Sequence, residues 1–417
     1  MRATSGHPLG RALACVCALT ALWAPAATAA PGPAPTPSAA PGTSATPPAP
    51  ASPTAAAPAA APRPERKRIP FTERYRALRH GGIVRAAGTA VTCSGGPTRT
   101  PGGDRACLAA RAGGPGANGD FDMTYVDVDD DPNTYNSSRA ELRLPPGASV
   151  RYARLYWGGN LRVGEQKPPA DNGRVLIAEP GGAYKALLAD TVVGHRAAHG
   201  ADAYQASADV TGLVRSSGSG AYTVAQINVA KGRSAAGSWG GWTLVVAYDK
   251  ASEPLRHLAL WDGFEALAPG TRTLARMRRM PFAPGAHGLV GLVAYNGDRG
   301  RTGDSLSASA RQGARTVLSD SANPRNDVLN STLAGPAGSS EERADSFGFA
   351  GPSRPALSPR SPGPRRSGPV NTLGYDSDVL ALGDATRNGG DRLDFLIVSQ
   401  HDAAWTGALF VAVDAQQ

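Results

Sequence analysis

Six carboxylates fall within twelve residues, in Asp120-Phe121-Asp122 and in Asp127-Val128-Asp129-Asp130-Asp131. Hard oxygen ligands gathered in a loop suit calcium, which takes six to eight of them. Asp127, Asp129, Asp130 and Asp131 are therefore the candidate metal ligands, and Ca2+ is the one cofactor the sequence suggests. The loop lacks the sixth-position glycine and twelfth-position glutamate of an EF-hand, and Asp131-Pro132 equally suits a solvated turn that ends a strand. Asp376 and Asp378 flank Ser377, placed either to complete such a site or to cap a turn.

Other chemistry is thinner. His195 and His199 stand four apart, a metal-compatible spacing only on a helix, and Gly194, Ala197, Ala198 and Gly200 around them argue for a loop. His257, Asp262 and Glu265 hold the parts of an acid–base site. Strand alternation, however, sends His257 and Asp262 to opposite faces. No Gly-Xaa-Ser-Xaa-Gly elbow occurs, so a serine hydrolase of that class has no support. Acidic pairs on separate strands leave no local motif, which keeps glycoside hydrolysis open.

The elements that would position these groups read as strands. The run Ser238-Trp239-Gly240-Gly241-Trp242-Thr243-Leu244-Val245-Val246-Ala247-Tyr248-Asp249 has the apolar, β-branched character of a central strand buried on both faces. Gly240 and Gly241 suit a bulge or a close approach of another backbone. Trp242 opens the apolar run and is expected in the core; Trp239, ahead of the glycines, either packs inside with it or stands on a rim, where it is the first candidate for an exposed platform under a sugar or peptide. Trp157 and Tyr156, with Trp405 behind them, are the further candidate ligand-binding residues. Similar short runs recur at Ser149 to Trp157, Val175 to Ala178, Tyr222 to Val229, Leu258 to Trp261, Leu289 to Tyr295 and Arg392 to Val398. Turns are marked at Asn118-Gly119, Asn172-Gly173, Asn296-Gly297 and Asn388-Gly389. Thr273 to Met280 is the one short helical candidate, made ambiguous by its three arginines. Asp209 or Thr211 is placed to cap a helical turn crossing between strands. The pattern predicts an all-β chain, an antiparallel β-sandwich of jelly-roll type, as one large sandwich or two abutting ones.

The ends bound the compartment. Two arginines, an apolar stretch from Ala12 to Trp23 and Ala27-Thr28-Ala29 predict a secretory signal peptide over 1–29. Cys15 sits too early in that stretch for a lipoprotein box. No later segment reads as transmembrane, and neither a sorting motif nor an apolar tail precedes Gln417. Residues 30–68, rich in Ala and Pro, predict a disordered spacer ending in Arg66-Lys67-Arg68. That basic cluster has no interleaved aromatics and suits anionic cell-wall polymers better than nucleic acid. The formal charge of +9 is carried mainly by arginine. Residues 69–417 are expected to form the β-module, with a disordered insertion at 333–370. Removal of the signal peptide leaves Cys93 and Cys107, a disulfide by default in an oxidising compartment, contributing about 3 kcal/mol.

Several stretches then carry a resemblance: Tyr152-Ala153-Arg154-Leu155-Tyr156-Trp157-Gly158-Gly159, the strand from Gly240 to Tyr248, Trp261-Asp262-Gly263-Phe264, Asn326-Asp327-Val328-Leu329-Asn330-Ser331-Thr332, and Asn371-Thr372-Leu373-Gly374-Tyr375-Asp376-Ser377-Asp378. Over roughly Asp120 to Val413 the chain resembles an uncharacterised extracellular β-rich module of secreted and surface-anchored bacterial proteins of actinobacterial type, often found ahead of adhesin-like repeats. The resemblance implies attachment or envelope structure without established catalysis. Downstream repeats and an anchor are missing here. The sequence therefore points to a secreted or wall-associated, non-catalytic binding or adhesion module whose partner is a cell-wall polymer, another glycan or a surface protein. The alternative is a carbohydrate-active or peptide-cleaving enzyme on the same scaffold.

Overall fold

A computed structural model describes residues 65–67, 69–94, 103–129, 131–310, 315–335, 370–401 and 403–416. The expected signal peptide, the expected spacer apart from residues 65–67, Asp130 and most of the expected insertion (336–369) lie outside the described residues. Among the described residues, no helix is long and apolar enough to cross a membrane.

The strands, in chain order, begin with β1 (Ile69–Thr89), β2 (Val91–Cys93), β3 (Met123–Tyr125), β4 (Ser137–Leu142) and β5 (Ser149–Asn160). Next come β6 (Arg174–Ala178), β7 (Lys185–Leu188), β8 (Thr191–Ala198), β9 (Ala201–Asp209) and β10 (Gly220–Ala225). Then follow β11 (Gly240–Asp249), β12 (Leu255–Leu267), β13 (Thr271–Phe282), β14 (Gly288–Tyr295) and β15 (Ser305–Ser309). The last are β16 (Thr316–Val317), β17 (Tyr375–Ala381), β18 (Gly390–Ser399) and β19 (Ala404–Asp414). Helix α1 (Gly103–Arg111) follows β2, and α2 (Thr211–Ser217) crosses from β9 to β10. Asp209 Oδ1 accepts the Thr211 amide at 2.8 Å at the start of that crossing, but Val210 holds the N-cap position, so neither Asp209 nor Thr211 caps the helix as expected.

The strand β1 decides the architecture. Its first part, Ile69 to His80, pairs with β12; its second, Gly81 to Thr89, pairs with β11. Glycine is required at the changeover, since a Cβ on Gly81 would lie 1.9 Å from the Tyr248 carbonyl oxygen. One long strand thereby joins two inner sheets, β1-β11-β5-β9-β8 and β17-β14-β19-β12-β1, into a continuous nine-stranded array. An outer sheet, β4-β10-β6-β7, covers the first, and another, β13-β18-β15-β16, covers the second.

Alternating side chains fill three cores between these four layers. On β5 and β11, Leu155, Trp157, Trp242, Leu244 and Val246 pack toward the first outer sheet. Tyr156 and Val245, on the opposite faces, meet Leu260, Tyr295, Tyr375 and Phe410 of the second inner sheet. Leu292, Leu409 and Val411 pack against Met277, Phe395 and Ile397 of the other outer sheet. The structure is thus an all-β antiparallel sandwich of jelly-roll type, present as two abutting sandwiches with a middle core between them. The chain steps from layer to layer in the jelly-roll manner, with β4 outer, β5 inner, β6 and β7 outer, β8 and β9 inner, β10 outer and β11 inner.

Two local expectations meet different outcomes. Gly240 and Gly241 do mark a close approach: a Cβ on Gly241 would lie 2.6 Å from both the Gly88 carbonyl oxygen and the Tyr375 ring. Thr273 to Met280 is no helix but part of β13, with Thr273, Ala275 and Met277 buried and Leu274, Arg276 and Arg278 exposed. Arginine and methionine are good helix formers, but pairing with β18 and period-two burial toward the inner sheet override that preference.

Candidate functional site

The four aromatic side chains expected to bind ligand are all interior. Trp239, Trp157, Tyr156 and Trp405 are each 0% exposed. Trp157 packs in the first core and donates its indole N–H to the Asn172 carbonyl at 2.9 Å. Trp239 and Trp405 lie against each other in the middle core, ring centroids 4.9 Å apart. The exposed-platform expectation is corrected accordingly. The glycine pair after Trp239 admits the Tyr375 ring and draws the tryptophan inward, where its large apolar surface leaves water.

The acidic loop is occupied with its own backbone. Asp127 Oδ1 accepts the Ser137 hydroxyl at 2.6 Å, and Asp131 Oδ1 accepts the Asn133 amide at 2.9 Å. Asp129 Oδ1 accepts the Asp131 amide at 3.2 Å, while its other oxygen takes the Tyr184 hydroxyl. Among the described residues, no group of three or more His, Cys, Asp or Glu side chains is disposed to hold a metal ion. His195 is on strand β8 and His199 in the following turn, so no helix aligns them.

Cys93 and Cys107 form the expected disulfide, Cα atoms 5.8 Å apart, tying α1 to β2.

The parts of an acid–base site are separated as alternation requires. His257 hydrogen-bonds the Pro281 carbonyl of β13 at 3.0 Å, and burial pushes its pKa down. Asp262 points the other way, into the middle layer, where Arg74 and Tyr156 both donate to its Oδ2, at 2.8 and 2.9 Å. Arg154, 3.6 Å from the same oxygen, forms a double hydrogen bond with Asp190. Glu265 is taken by the Thr273 hydroxyl at 3.0 Å.

A second carboxylate pair is more unusual. Asp376 and Asp378 occupy one face of β17, both 0% exposed. Asp376 Oδ1 accepts the Thr332 amide at 3.2 Å, and Asp378 Oδ1 accepts the Ala334 amide at 2.7 Å and the Thr332 hydroxyl at 3.0 Å. The Oδ2 atoms have no partner among the described residues. Burial, then the charge of Asp378, raises Asp376 well above the usual carboxylate range. Burial pushes Asp378 up to about 7, against the opposing pull of the Ala334 amide and Arg85. Such perturbation is a mark of acid–base sites, but catalysis also needs room for substrate. Both carboxylates are wholly buried, and neither lines the groove described below or the small cavity of about 10 Å³ beside Asp298 and Asp304 in the adjoining loops. The pair holds residues 332–334 against the edge of β17, a structural task.

An accessible site of ligand size lies elsewhere. A groove of about 530 Å³ opens beside the point where β1 changes sheets. Ile83, Leu289 and Ala412 give it apolar wall, and Tyr248, Arg256, His287, Asp384 and Arg387 give it polar groups. Arg256 is fixed by Asp414 at 2.9 Å and by the Gly81 carbonyl at 2.8 Å. Arg387 pairs with Asp384 at 2.9 Å on the exposed rim. Its size and its mixture of apolar wall with a few convergent polar groups suit a small ligand or one or two sugar rings. Sequence reasoning singled out no groove residue for binding, because these residues come from β1, β11, β12, β14, β17, β19 and the loops beside them. No local spacing links them.

No family model matches the chain, and no curated protein does. Two solved structures are similar at 9% identity. One, titled "Life in the extremes: atomic structure of Sulfolobus Turreted Icosahedral Virus", covers 80% of this chain and 91% of its own with a TM-score of 0.21. The other, the crystal structure of the STIV MCP, covers 80% and 97% with a TM-score of 0.19. At such TM-scores the likeness carries no argument.

Proposed function

We propose that the chain is a secreted, non-catalytic binding module of the cell envelope, and that it takes carbohydrate in the groove beside the β1 changeover. The observation that carries this reading is the groove itself, about 530 Å³ and open to solvent, with Tyr248, Arg256, His287 and Arg387 around an apolar wall. Sugars present alternating apolar faces and hydroxyl edges, and this wall offers contacts for both. Secretion and wall association rest on the leader-like N-terminus and the basic end of the spacer.

The test is an array of uncharged glycans probed with the full chain, run beside the His287→Ala/Arg387→Ala double variant. Both side chains are exposed, so the fold should persist. Binding by the wild type and at least about tenfold weaker binding by the variant, equivalent to about 1.4 kcal/mol, is the expected result. Equal binding by both proteins removes the groove from the account. Sugar release from the same glycans by the purified chain replaces binding with turnover.

A further inference from the structure

Strand β13 presents an arrangement that the groove does not use. Arg272, Arg276 and Arg278 project from its outer face, and Arg279 from the bulge that follows; all four are exposed. None of them forms an ion pair with a carboxylate of the described residues. Most other arginines around this end of the molecule are engaged, as Arg76 is with Glu73, Arg256 with Glu253 and Asp414, Arg387 with Asp384 and Arg392 with Asp394. Four unpaired cations on one strand repel one another, a cost that a bound polyanion would relieve.

We propose that this face docks a linear phosphate-bearing polymer of the envelope along β13, as a second binding surface separate from the groove. The strand geometry sets the interval. Residues two apart on one face lie about 7 Å from each other, so Arg276 and Arg278 are one such step apart and Arg272 and Arg276 are two. A single small anion meets only one arginine at that spacing, whereas a chain with repeated charges meets the row. Guanidinium groups match phosphate oxygens with paired hydrogen bonds. Between the arginines stands Leu274, 37% exposed, opposite the half-buried Leu396 of β18. This apolar strip suits the carbon segments between phosphates. The row offers no aromatic side chain for base stacking, which favours a polyol or sugar phosphate over a single-stranded nucleic acid. Asp394 is the acidic residue opposite Arg276, and it is turned toward Arg392 at 3.9 Å.

An edge strand also carries charge simply to block pairing with another chain, and β13 is an edge of its sheet. Charge reversal separates the two roles, because glutamates protect an edge as well as arginines do. The experiment measures binding of the full-length chain to a polyglycerol phosphate over a range of salt concentrations. Wild type is compared with the Arg272→Glu/Arg276→Glu/Arg278→Glu and Arg272→Gln/Arg276→Gln/Arg278→Gln variants. Docking predicts that both triples stay folded and monomeric and bind on the order of tenfold more weakly at low salt. It also predicts that the Gln triple loses about two units of the slope of log affinity against log salt. His287→Ala/Arg387→Ala should bind this polymer as wild type does, so that failure of the groove leaves this surface standing. Wild-type affinity in the Glu triple overturns the proposal. So does self-association of the Gln triple with polymer binding retained, which assigns the row to edge protection. Tighter binding to single-stranded DNA than to the polyol phosphate also overturns the choice of partner.

Discussion

The phenol of Tyr156, on β5, donates to Asp262 Oδ2, on β12, at 2.9 Å, joining the two inner sheets through the middle core. Arg74 donates to the same oxygen at 2.8 Å, and Arg154 stands 3.6 Å away. Two residues that the sequence offered as a ligand-binding candidate and as one of three parts of an acid–base site are one buried structural contact. Burial, then the neighbouring Asp262 charge, holds the Tyr156 hydroxyl well above the usual phenol range, so it remains a donor.

Tyr156→Phe should therefore destabilise the chain by about 1–3 kcal/mol, the cost of leaving a buried charged acceptor short of one donor. Urea unfolding followed by tryptophan fluorescence reads this directly. Carbohydrate binding, measured in parallel, should not change. An unaltered midpoint would mean that Arg74 alone satisfies Asp262.

Trp239→Ala should act on stability before it acts on any ligand. The side chain is fully buried against Trp405 and Tyr295, and removing a packed aromatic costs about 3–5 kcal/mol. A large fall in melting temperature is expected. A variant that melts like wild type yet loses attachment would restore the platform reading.

The buried pair Asp376 and Asp378 sets a pH dependence whose sign follows from linkage. Both groups are raised in the fold, Asp378 to about 7, from an unfolded value of 3.8. The folded state therefore keeps protons that the unfolded chain releases, and this contribution is complete below about pH 4. It is lost as pH rises through 7. Melting temperature should fall between pH 5 and pH 8. Asp378→Asn, which cannot ionise, should flatten that fall and raise stability at pH 8. A profile that rises over the same interval would contradict the assignment. Asp190 and Glu165 are lowered by their partners, and their opposing effect acts at more acid pH.

Reduction of Cys93–Cys107 should cost about 3 kcal/mol by freeing a loop with a sequence separation of 14. A melting temperature several degrees lower in reductant is the expected reading, and none should be seen in a Cys93→Ser/Cys107→Ser variant. Identical wild-type curves with and without reductant would show that α1 docks without the bridge.

What the sequence determined by itself was whatever depends on near neighbours. Short β-branched runs between Asn-Gly turns are enough to specify antiparallel strands, and two glycines after Trp239 are enough to signal a close approach. The pairing of Cys93 with Cys107 was legible on the expectation that a leader removes Cys15 and Cys17, and the two are bonded in the structure. The apolar run from Trp242 to Tyr248 showed burial on both faces, though not what would bury it. That was decided by β1, whose change of partner at Gly81 brings two sandwiches back to back and creates the middle core. Only this stacking put Trp239 inside, since nothing local distinguishes a tryptophan at an open strand end from one covered by a second sheet. Tertiary packing also turned Arg272 to Arg278 into a row, because pairing with β18 and burial of Thr273, Ala275 and Met277 toward the inner sheet overrode helical propensity. The groove was invisible for the same reason: its walls come from strands far apart in sequence, and their proximity exists only once the layers have packed.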